Sequence, residues 1–302
     1  MDAALVTGCS AGGLGEGIAR AFAKEGVHVF ATSRSLTSLA HLESTPNITP
    51  LALDVTSSSS IAAALTTIKS TLKTQNLRLK YLINNAGLGL VSPVLNGTGI
   101  TESEHAVFET NVWGPLALIR TFIPLMIDSG TGRGGGTVVN ITSGGALVPL
   151  IWNGVYAASK AAMLILSETL RLEIEPLGVK TITVVLGIVK TNFHANLAAK
   201  EDDKSDGTGK EAARFVLQEG SYYRDMRGVL EGEASGKVQD ESVMTAEEAG
   251  RRIVRDAIGD VKGRTFVGTK AGVLKWVGFF PVWLVDSIVS KTGKLDKFVE
   301  AG

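Results

Sequence analysis

The sequence predicts an α/β fold, with a doubly wound parallel sheet that forms one domain and carries helices on both faces. Short apolar runs that suit buried strands alternate with stretches of helical periodicity, the pattern of a parallel sheet with right-handed crossovers. The first apolar run also leads directly into a glycine-rich turn and a helix. Strands are predicted at 3–6, 27–32, 49–53, 79–83, 137–141, 181–186 and 265–267, and helices at 15–24, 57–72, 102–127, 155–175 and 246–258.

Local signals support the ends of these elements. In the first helix, Ile18 and Phe22 recur at helical spacing. Gly26 and Gly178 lie just past predicted helix ends, where a left-handed cap is usual. Pro176 follows the long fourth helix and is expected to end it, because proline cannot continue the hydrogen-bond ladder.

The composition excludes several classes of function. The chain has 302 residues, of which 44% are hydrophobic, so it can bury a sizeable core. Lysine plus arginine equals aspartate plus glutamate at 30 each, and we therefore expect no nucleic-acid partner. The single cysteine, Cys9, excludes an internal disulfide and fits a reducing compartment. Four scattered histidines predict no metal site. No charged-then-apolar signal precedes the first strand, so we expect a cytoplasmic protein.

The turn at 7–15 predicts a binding site for a phosphate group. Glycines let the backbone approach a pyrophosphate closely, and the following helix N-terminus offers free N–H groups and a positive dipole end. A glycine-rich turn alone is weak evidence, but its place between the first strand and the first helix makes it much stronger. The candidate cofactor-binding residues in this turn are Gly8, Ser10, Gly13, Leu14 and Gly15.

Tyr156 and Lys160 are candidates for proton transfer. They are four residues apart in a predicted helix, which places them one turn apart on the same face. An ammonium group near a phenol favours the phenolate and lowers its pKa toward the working range. Ser143, thirteen residues upstream, follows the apolar run of the fifth strand and could hold a carbonyl oxygen beside the tyrosine.

These motifs together resemble the short-chain dehydrogenase/reductase family over most of the first 190 residues. The turn is similar to the family's Thr-Gly-x-x-x-Gly-x-Gly loop, with one extra residue, and residues 84–87 read Asn-Asn-Ala-Gly as the family's signature does. Asn111 falls where the family keeps a catalytic asparagine. The resemblance implies a Rossmann fold and a catalytic set consisting of Asn111, Ser143, Tyr156 and Lys160.

The resemblance also implies a role for each catalytic candidate. Ser143 and Tyr156 would hydrogen-bond the substrate carbonyl, and Tyr156 would donate its proton to the forming alkoxide. Lys160 would lower the tyrosine pKa and bind the nicotinamide ribose. Asn111 would hold a water that links Lys160 to bulk solvent.

The end of the second strand predicts NADPH as the cofactor. NAD-preferring members of the family tend to have an acidic residue where Ser33 stands, and Arg34 is placed to meet a 2′-phosphate. Asp54 matches the position that bonds the adenine amino group, and Thr191 the position that holds the nicotinamide carboxamide. Leu186-Gly187 replaces the family's usual Pro-Gly. The remaining predicted cofactor contacts are Val55, Asn85, Ala86, Gly87 and Val189, besides Tyr156 and Lys160.

Two segments are expected to determine the substrate specificity of the protein and its location in the cell. The catalytic and dinucleotide-binding domain is predicted to span 1–269 and to include a substrate lid at 192–245, where polar residues are flanked by apolar ones. The strongly apolar tail at 270–302 is interrupted by Lys275, Pro281 and Asp286, so it falls short of a membrane-spanning helix. An interfacial anchor, a wall of the substrate pocket and a contact with a second subunit are all consistent with its sequence.

The predicted function is NADPH-dependent reduction of a hydrophobic ketone to a secondary alcohol. The tail resembles that of fungal 1-acyldihydroxyacetone-phosphate reductases, which implies a lipid ketone as an alternative substrate and association with lipid droplets or endoplasmic reticulum. A second alternative is oxidation of a hydrophobic secondary alcohol, steroid-like or polyketide-derived. A non-catalytic binding protein is a third, which the intact catalytic set disfavours. The family resemblance also implies a homo-oligomer.

Overall fold

Seven parallel strands form one sheet in the order β3-β2-β1-β4-β5-β6-β7. The computed structural model describes residues 1–127, 135–193, 217–235 and 242–300. The strands are β1 (Asp2–Thr7), β2 (His28–Ser33), β3 (Ile48–Ala52), β4 (Arg78–Asn84), β5 (Thr137–Ile141), β6 (Lys180–Leu186) and β7 (Gly263–Val267). All seven predicted strands are therefore confirmed, and the doubly wound parallel sheet with them.

Helices cover both faces of the sheet. They are α1 (Leu14–Lys24), α2 (Ser58–Thr74), α3 (Glu102–Phe108), α4 (Gly114–Phe122), α5 (Gly154–Ile174), α6 (Arg227–Ser235), α7 (Ala246–Ile258), α8 (Ala271–Leu274), α9 (Val282–Thr292) and α10 (Asp296–Glu300). The single helix predicted over 102–127 is divided: between α3 and α4 the backbone runs as a π-helix over Glu109–Trp113, and a 3₁₀ turn follows α4.

The alternation of side chains along each strand produces two apolar layers. In β1, Val6 packs with Ile18 and Phe22 of α1 on one face of the sheet. Leu5, its neighbour, packs on the opposite face among residues of α2, α4 and α5. Because successive side chains of a strand point to opposite faces, a strand covered on both sides is largely apolar, and its buried polar side chains need hydrogen-bond partners. This is why β1 contains an uninterrupted apolar run from Ala3 to Val6.

Helices α1 and α7 pack closely against each other through two glycines. A Cβ added to Gly17 would lie 2.3 Å from the carbonyl oxygen of Ala246, and one added to Gly250 would lie 2.4 Å from the carbonyl carbon of Gly17. Both neighbours are backbone atoms, so no side chain could move aside to make room. The two glycines therefore set the distance between these helices.

A chain of buried polar side chains connects β4, β5, α5 and β6. The amide of Asn84 donates to Asn140 Oδ1 at 2.8 Å, and the amide of Asn140 donates to Ser167 Oγ at 2.9 Å. Ser167 and the Thr183 hydroxyl are 2.7 Å apart and share a hydrogen bond. Buried polar groups need such partners, and these fix α5 against the sheet in one position.

Candidate active site

The predicted site residues lie at the carboxyl edge of the sheet, where the chain reverses its direction of winding. From β1 the strand order runs to β2 and β3 on one side and to β4 and β5 on the other. In open α/β sheets a ligand crevice opens at such a point, outside the carboxyl ends of the strands. The loops after β1, β2, β4, β5 and β6 all end at this edge.

The glycine-rich turn is folded tightly against the end of β4. Gly8 has a φ of +72°, which favours glycine. A Cβ on Gly8 would lie 2.9 Å from Ala86 Cα, and a Cβ on Gly15 would lie 2.2 Å from the Gly8 carbonyl oxygen. Gly13 is the N-cap of α1, which begins at Leu14. The turn therefore has no room for side chains at Gly8 and Gly15, as a close backbone approach to a pyrophosphate requires.

Asn85 holds this turn in place instead of facing the crevice with a free amide. Its Nδ2 donates to the carbonyl oxygens of Thr7 at 2.8 Å and Gly8 at 3.1 Å. The Thr7 hydroxyl in turn accepts from the backbone N–H groups of Asn85 and Ala86, both at 3.0 Å. The Asn-Asn-Ala-Gly segment thus fixes the position of the glycine-rich turn.

Two residues at the turn were missed by the sequence analysis. Glu16 Oε2 accepts from the backbone N–H of Gly12 at 2.8 Å. Asn192, from the segment after β6, donates its N–H to the Gly12 carbonyl at 3.1 Å and its side-chain amide to the Ala11 carbonyl at 3.0 Å. Gly12 has a φ of +70°. The loops after β1 and β6 are therefore joined directly across the crevice, a contact that no motif in the sequence indicates.

The end of β2 presents hydroxyl groups and an arginine. Ser33 Oγ lies 3.1 Å from Ser10 Oγ and accepts a hydrogen bond from Ser38 Oγ at 2.8 Å. Arg34 is exposed. Next along this edge, Asp54 accepts at Oδ1 from the backbone N–H and the hydroxyl of Thr56, at 2.9 and 2.7 Å. Asp54 thus has one carboxylate oxygen bonded in the turn before α2, and Val55 beside it is buried.

Tyr156 and Ser143 meet in the crevice. Tyr156 lies in the first turn of α5, and Ser143 directly follows β5. Burial raises the pKa of the Tyr156 phenol above its ordinary value, and a hydrogen bond with the Ser143 side chain acts in the opposite direction. The Ser143 hydroxyl also accepts from the backbone N–H of Gly145 at 3.2 Å. The sequence expectation of a lowered tyrosine pKa is therefore not met by the chain's own groups, because burial outweighs them.

Lys160 is buried behind the tyrosine. Its Nζ lies 5.9 Å from the centroid of the Tyr156 ring and donates to the carbonyl oxygen of Ile141 at 3.1 Å. The lysine is 5% exposed, and burial lowers its pKa to about 8. The four-residue spacing thus places both side chains on one face of α5, as predicted, with a lysine that is a stronger proton donor than a solvated one.

Asn111 approaches the same place from the π-helical segment. Its Oδ1 accepts from the Leu88 N–H at 2.8 Å, and its Nδ2 donates to the Leu88 carbonyl at 2.9 Å and to Ser159 Oγ at 2.9 Å. A Cβ on Gly87 would lie 3.3 Å from Lys160 Nζ and 3.4 Å from Asn111 Oδ1. Gly87 therefore leaves room for both groups, and the structure brings Asn111, Ser143, Tyr156 and Lys160 together. A π-helical turn such as the one that carries Asn111 is frequent at functional sites.

The loop after β6 and the tail border the site with apolar groups. Val189 is buried, and the Thr191 hydroxyl accepts from the Phe193 N–H at 3.3 Å. The Phe193 ring lies 6.1 Å from the Tyr156 ring, centroid to centroid. On the other side, Leu274 of α8 packs against Gly144, next to Ser143. Of the predicted lid, residues 194–216 and 236–241 lie outside the described residues.

Comparisons with known proteins agree with this architecture. The sequence model of the short chain dehydrogenase family matches residues 2–202. Short-chain dehydrogenase ptmH of Penicillium ochrochloron is 37% identical over 289 residues, which are 95% of this chain and 96% of that protein. The NADPH-dependent 1-acyldihydroxyacetone phosphate reductase of Schizosaccharomyces pombe is 32% identical over 278 residues, with 91% and 85% covered.

Solved structures give the same result. A short-chain dehydrogenase from Streptomyces avermitilis superposes with a TM-score of 0.70 at 27% identity, covering 100% of this chain and 99% of that one. A serine dehydrogenase complexed with NADP+ superposes with a TM-score of 0.66 at 25% identity, covering 87% and 94%. With the family match over residues 2–202 and relatives that extend over nearly its whole length, this chain belongs to the short-chain dehydrogenase family of oxidoreductases.

Proposed function

We propose that this protein reduces a ketone on a hydrophobic substrate to a secondary alcohol, with NADPH as the reductant. The observation that carries the proposal is the pairing of Tyr156 with Ser143 at the carboxyl edge of the sheet, with Lys160 buried behind them. A proton donor and a second hydroxyl group directed at one point suit a carbonyl oxygen.

The glycine turn supports a dinucleotide as the cofactor. Its backbone is closely packed at Gly8 and Gly15, where a side chain would clash with Ala86 and with the Gly8 carbonyl oxygen and force the turn open; a tight glycine turn before a helix suits a pyrophosphate. Gly13, Leu14 and Ser10 border the same space, and Val55 and Asp54 mark its adenine end. Bound NADPH would supply the hydride that reduces the carbonyl carbon. Thr191 and Val189 are proposed to hold the nicotinamide end.

The choice of NADPH over NADH rests on the end of β2. Ser33 provides a hydroxyl where a carboxylate would repel a 2′-phosphate, and Arg34 beside it is exposed and free to turn toward that group. The S. pombe relative is named as NADPH-dependent, and the serine dehydrogenase was solved with NADP+. Both similarities favour the phosphorylated cofactor for this chain.

The residues of the site divide the chemistry between them. Ser143 and Tyr156 polarise the carbonyl oxygen by hydrogen bonds, and Tyr156 donates its proton as negative charge develops there. Lys160, with its pKa near 8, stabilises the phenolate that remains. Asn111 holds the Leu88 backbone, and the adjoining Gly87, which has no side chain, leaves room for the lysine. Reprotonation of the tyrosine can then proceed through Lys160.

A hydrophobic substrate is supported by the apolar groups near the tyrosine. Phe193 lies beside the Tyr156 ring, and Leu150 and Leu274 pack against the glycines that follow Ser143. An acyl-dihydroxyacetone phosphate is one candidate, favoured by the 32% identity to the S. pombe reductase. The Penicillium short-chain dehydrogenase is 37% identical to this chain, and its name specifies no substrate. Other hydrophobic ketones therefore belong in the same test.

The test is oxidation of NADPH, followed by the absorbance of the reduced nicotinamide, against a panel of ketones. The panel runs from acyl-dihydroxyacetone phosphate through steroid ketones to aromatic polyketides, with NADH in parallel. We expect turnover with NADPH on one substrate class, and Tyr156→Phe should lower kcat by about 100-fold or more while NADPH still binds. Near-full turnover of Tyr156→Phe, or a preference for NADH, would contradict the proposal.

A further inference from the structure

A cationic cavity lies at the free edge of the sheet, away from the carboxyl edge that carries the active site. It is about 620 Å³ in volume and lies between β7 and α7. Four basic side chains line it, and Asp256 is the one acidic residue that lines it; the four are Arg252, Arg255, Arg264 and Lys275.

The positive charges of this cavity are only partly neutralised. Arg255 lies 3.7 Å from Asp256, and Arg264 lies 3.8 Å from Glu168. Arg252 and Lys275 are both exposed, and no salt bridge to either is found within the described residues. The Thr265 side chain also lines the cavity, and its buried hydroxyl has no hydrogen-bond partner in the described part of the chain. A concave site with excess positive charge suits an anionic group.

An exposed apolar segment begins where the cavity ends. We call residues 276–283 the aromatic segment. Trp276 is 61% exposed, Phe279 80% and Trp283 70%. Lys275, immediately before it, has its Nζ 5.5 Å from the centroid of the Phe266 ring, at the cavity wall. The cavity and the aromatic segment are therefore adjoining parts of one surface.

We propose that this surface docks on a phospholipid bilayer containing anionic lipids. Exposed tryptophan and phenylalanine side chains suit the boundary between headgroups and acyl chains, and clustered Arg and Lys residues attract anionic headgroups. The protein would contact the surface of the bilayer. No helix within the described ranges is long and apolar enough to cross a membrane. The inference stands independently of the proposed reaction.

Charge argues against a second copy of the chain as the occupant. In a two-fold contact the same patch of both subunits meets itself. Lys275 and the neighbouring Arg252 and Arg264 would then approach a patch of equal positive charge, which is unfavourable in a buried interface. A surface of anionic headgroups meets the same charges favourably.

The test is flotation of the full-length protein with two kinds of vesicle: phosphatidylcholine alone, and phosphatidylcholine mixed with phosphatidylserine. We expect the wild type to float with the mixed vesicles, and the association to weaken as salt is added. Trp276→Ser/Phe279→Ser and Arg252→Gln/Arg255→Gln should each reduce the partition coefficient on mixed vesicles by about tenfold.

Matched controls separate this effect from general losses of charge or apolar area. Lys69→Gln/Lys73→Gln removes two exposed charges from α2, and Tyr222→Ser removes an aromatic ring that is 76% exposed elsewhere. Both should float like the wild type. All the substituted side chains are exposed, and thermal unfolding verifies that each variant folds. Failure of the wild type to float, or wild-type flotation of either surface variant, would overturn the proposal. So would an aromatic variant that alters only the oligomeric mass in light scattering.

Discussion

At the scale of single residues, Lys160 is the group whose environment departs most clearly from that of a solvated side chain. It is almost fully buried and has one described hydrogen-bond acceptor, the carbonyl of Ile141. Burial disfavours the ammonium form and lowers the pKa of Lys160 from 10.5 to about 8. The protein thus holds a titrating amine close to neutral pH beside a phenol whose pKa burial raises.

The lowered pKa of Lys160 makes the stability of the protein depend on pH. Between about pH 8 and pH 10.5 the unfolded state binds more protons at this residue than the folded state, so its contribution to stability rises with pH. Below about pH 8 both states are protonated, and the full cost of burying the charge is present. Lys160→Met removes this cost. The free energy of unfolding of the Lys160→Met variant, relative to that of the wild type, should therefore fall by about 2 kcal/mol between about pH 7 and about pH 9.5.

Urea unfolding of the cofactor-free proteins at the two pH values measures this difference. Lys73→Met, an exposed lysine on α2, is the control for the loss of a lysine. A difference between Lys160→Met and the wild type that stays constant with pH would mean that Lys160 is not a buried, titrating group.

Among the elements, the contact between α1 and α7 depends on two glycines. Gly250→Ala would place a methyl group 2.4 Å from the Gly17 carbonyl carbon, and the two helices would have to separate. We expect a loss of about 2 kcal/mol in the free energy of unfolding, as for overpacked cores. Thermal or urea unfolding measures it.

Gly232→Ala in α6 is the matched control for this prediction. Nothing lies within 4 Å of a Cβ at Gly232, so the same substitution should stabilise the helix by about 0.5–1 kcal/mol. Equal effects of the two substitutions would show that the helix contact carries no special constraint.

The elements also show what the sequence could predict. The strands were found because a strand buried on both faces is largely apolar, and α7 was predicted at its observed bounds, 246–258, from its apolar spacing. The division of the helix over 102–127 was missed because residues 102–113 contain no glycine or proline, and the π-helical turn lies at Glu109–Trp113. Contacts between distant segments, such as Gly17 with Gly250, depend on the completed fold and leave no local pattern.

The residues of the candidate site likewise include some that the sequence could predict and some that it could not. Tyr156, Lys160 and Gly8 could be predicted because each belongs to a local motif whose spacing has a physical meaning. Asn192 and Glu16 could not, since their partners at Gly12 are set by how the loops after β1 and β6 meet. The direction of the Tyr156 pKa was also beyond the sequence, because it depends on the depth of burial.

For the whole molecule, the end of the tail is packed into the body of the protein. The indole Nε1 of Trp152, just before α5, donates to the Gly293 carbonyl at 2.9 Å. The Tyr223 ring lies 5.5 Å from Trp152 on one side and 5.5 Å from Phe298 on the other. Leu295 packs against the same cluster. The tail and the segment 217–235 therefore share one small core beside α5.

Removal of the chain from Gly293 onward should therefore destabilise the protein. It would leave the buried indole N–H of Trp152 without its acceptor and expose the small core around Tyr223. We expect a loss of about 2–3 kcal/mol in urea unfolding. Trp283→Ser, an exposed change in the same tail, should alter stability by less than about 0.5 kcal/mol. A truncated protein as stable as the wild type would show that the tail is a separable appendage.

The intrinsic fluorescence of the four tryptophans depends on these contacts. Trp152 is 6% exposed, whereas Trp113, Trp276 and Trp283 are each at least half exposed. An indole that gains water emits at longer wavelength, and one that leaves water emits at shorter wavelength. Opening of the small core around Trp152 and Tyr223 would thus shift the emission toward the red, and transfer of the aromatic segment into a lipid surface would shift it toward the blue. The intrinsic fluorescence of the unlabelled protein can therefore distinguish these two events by the sign of the change.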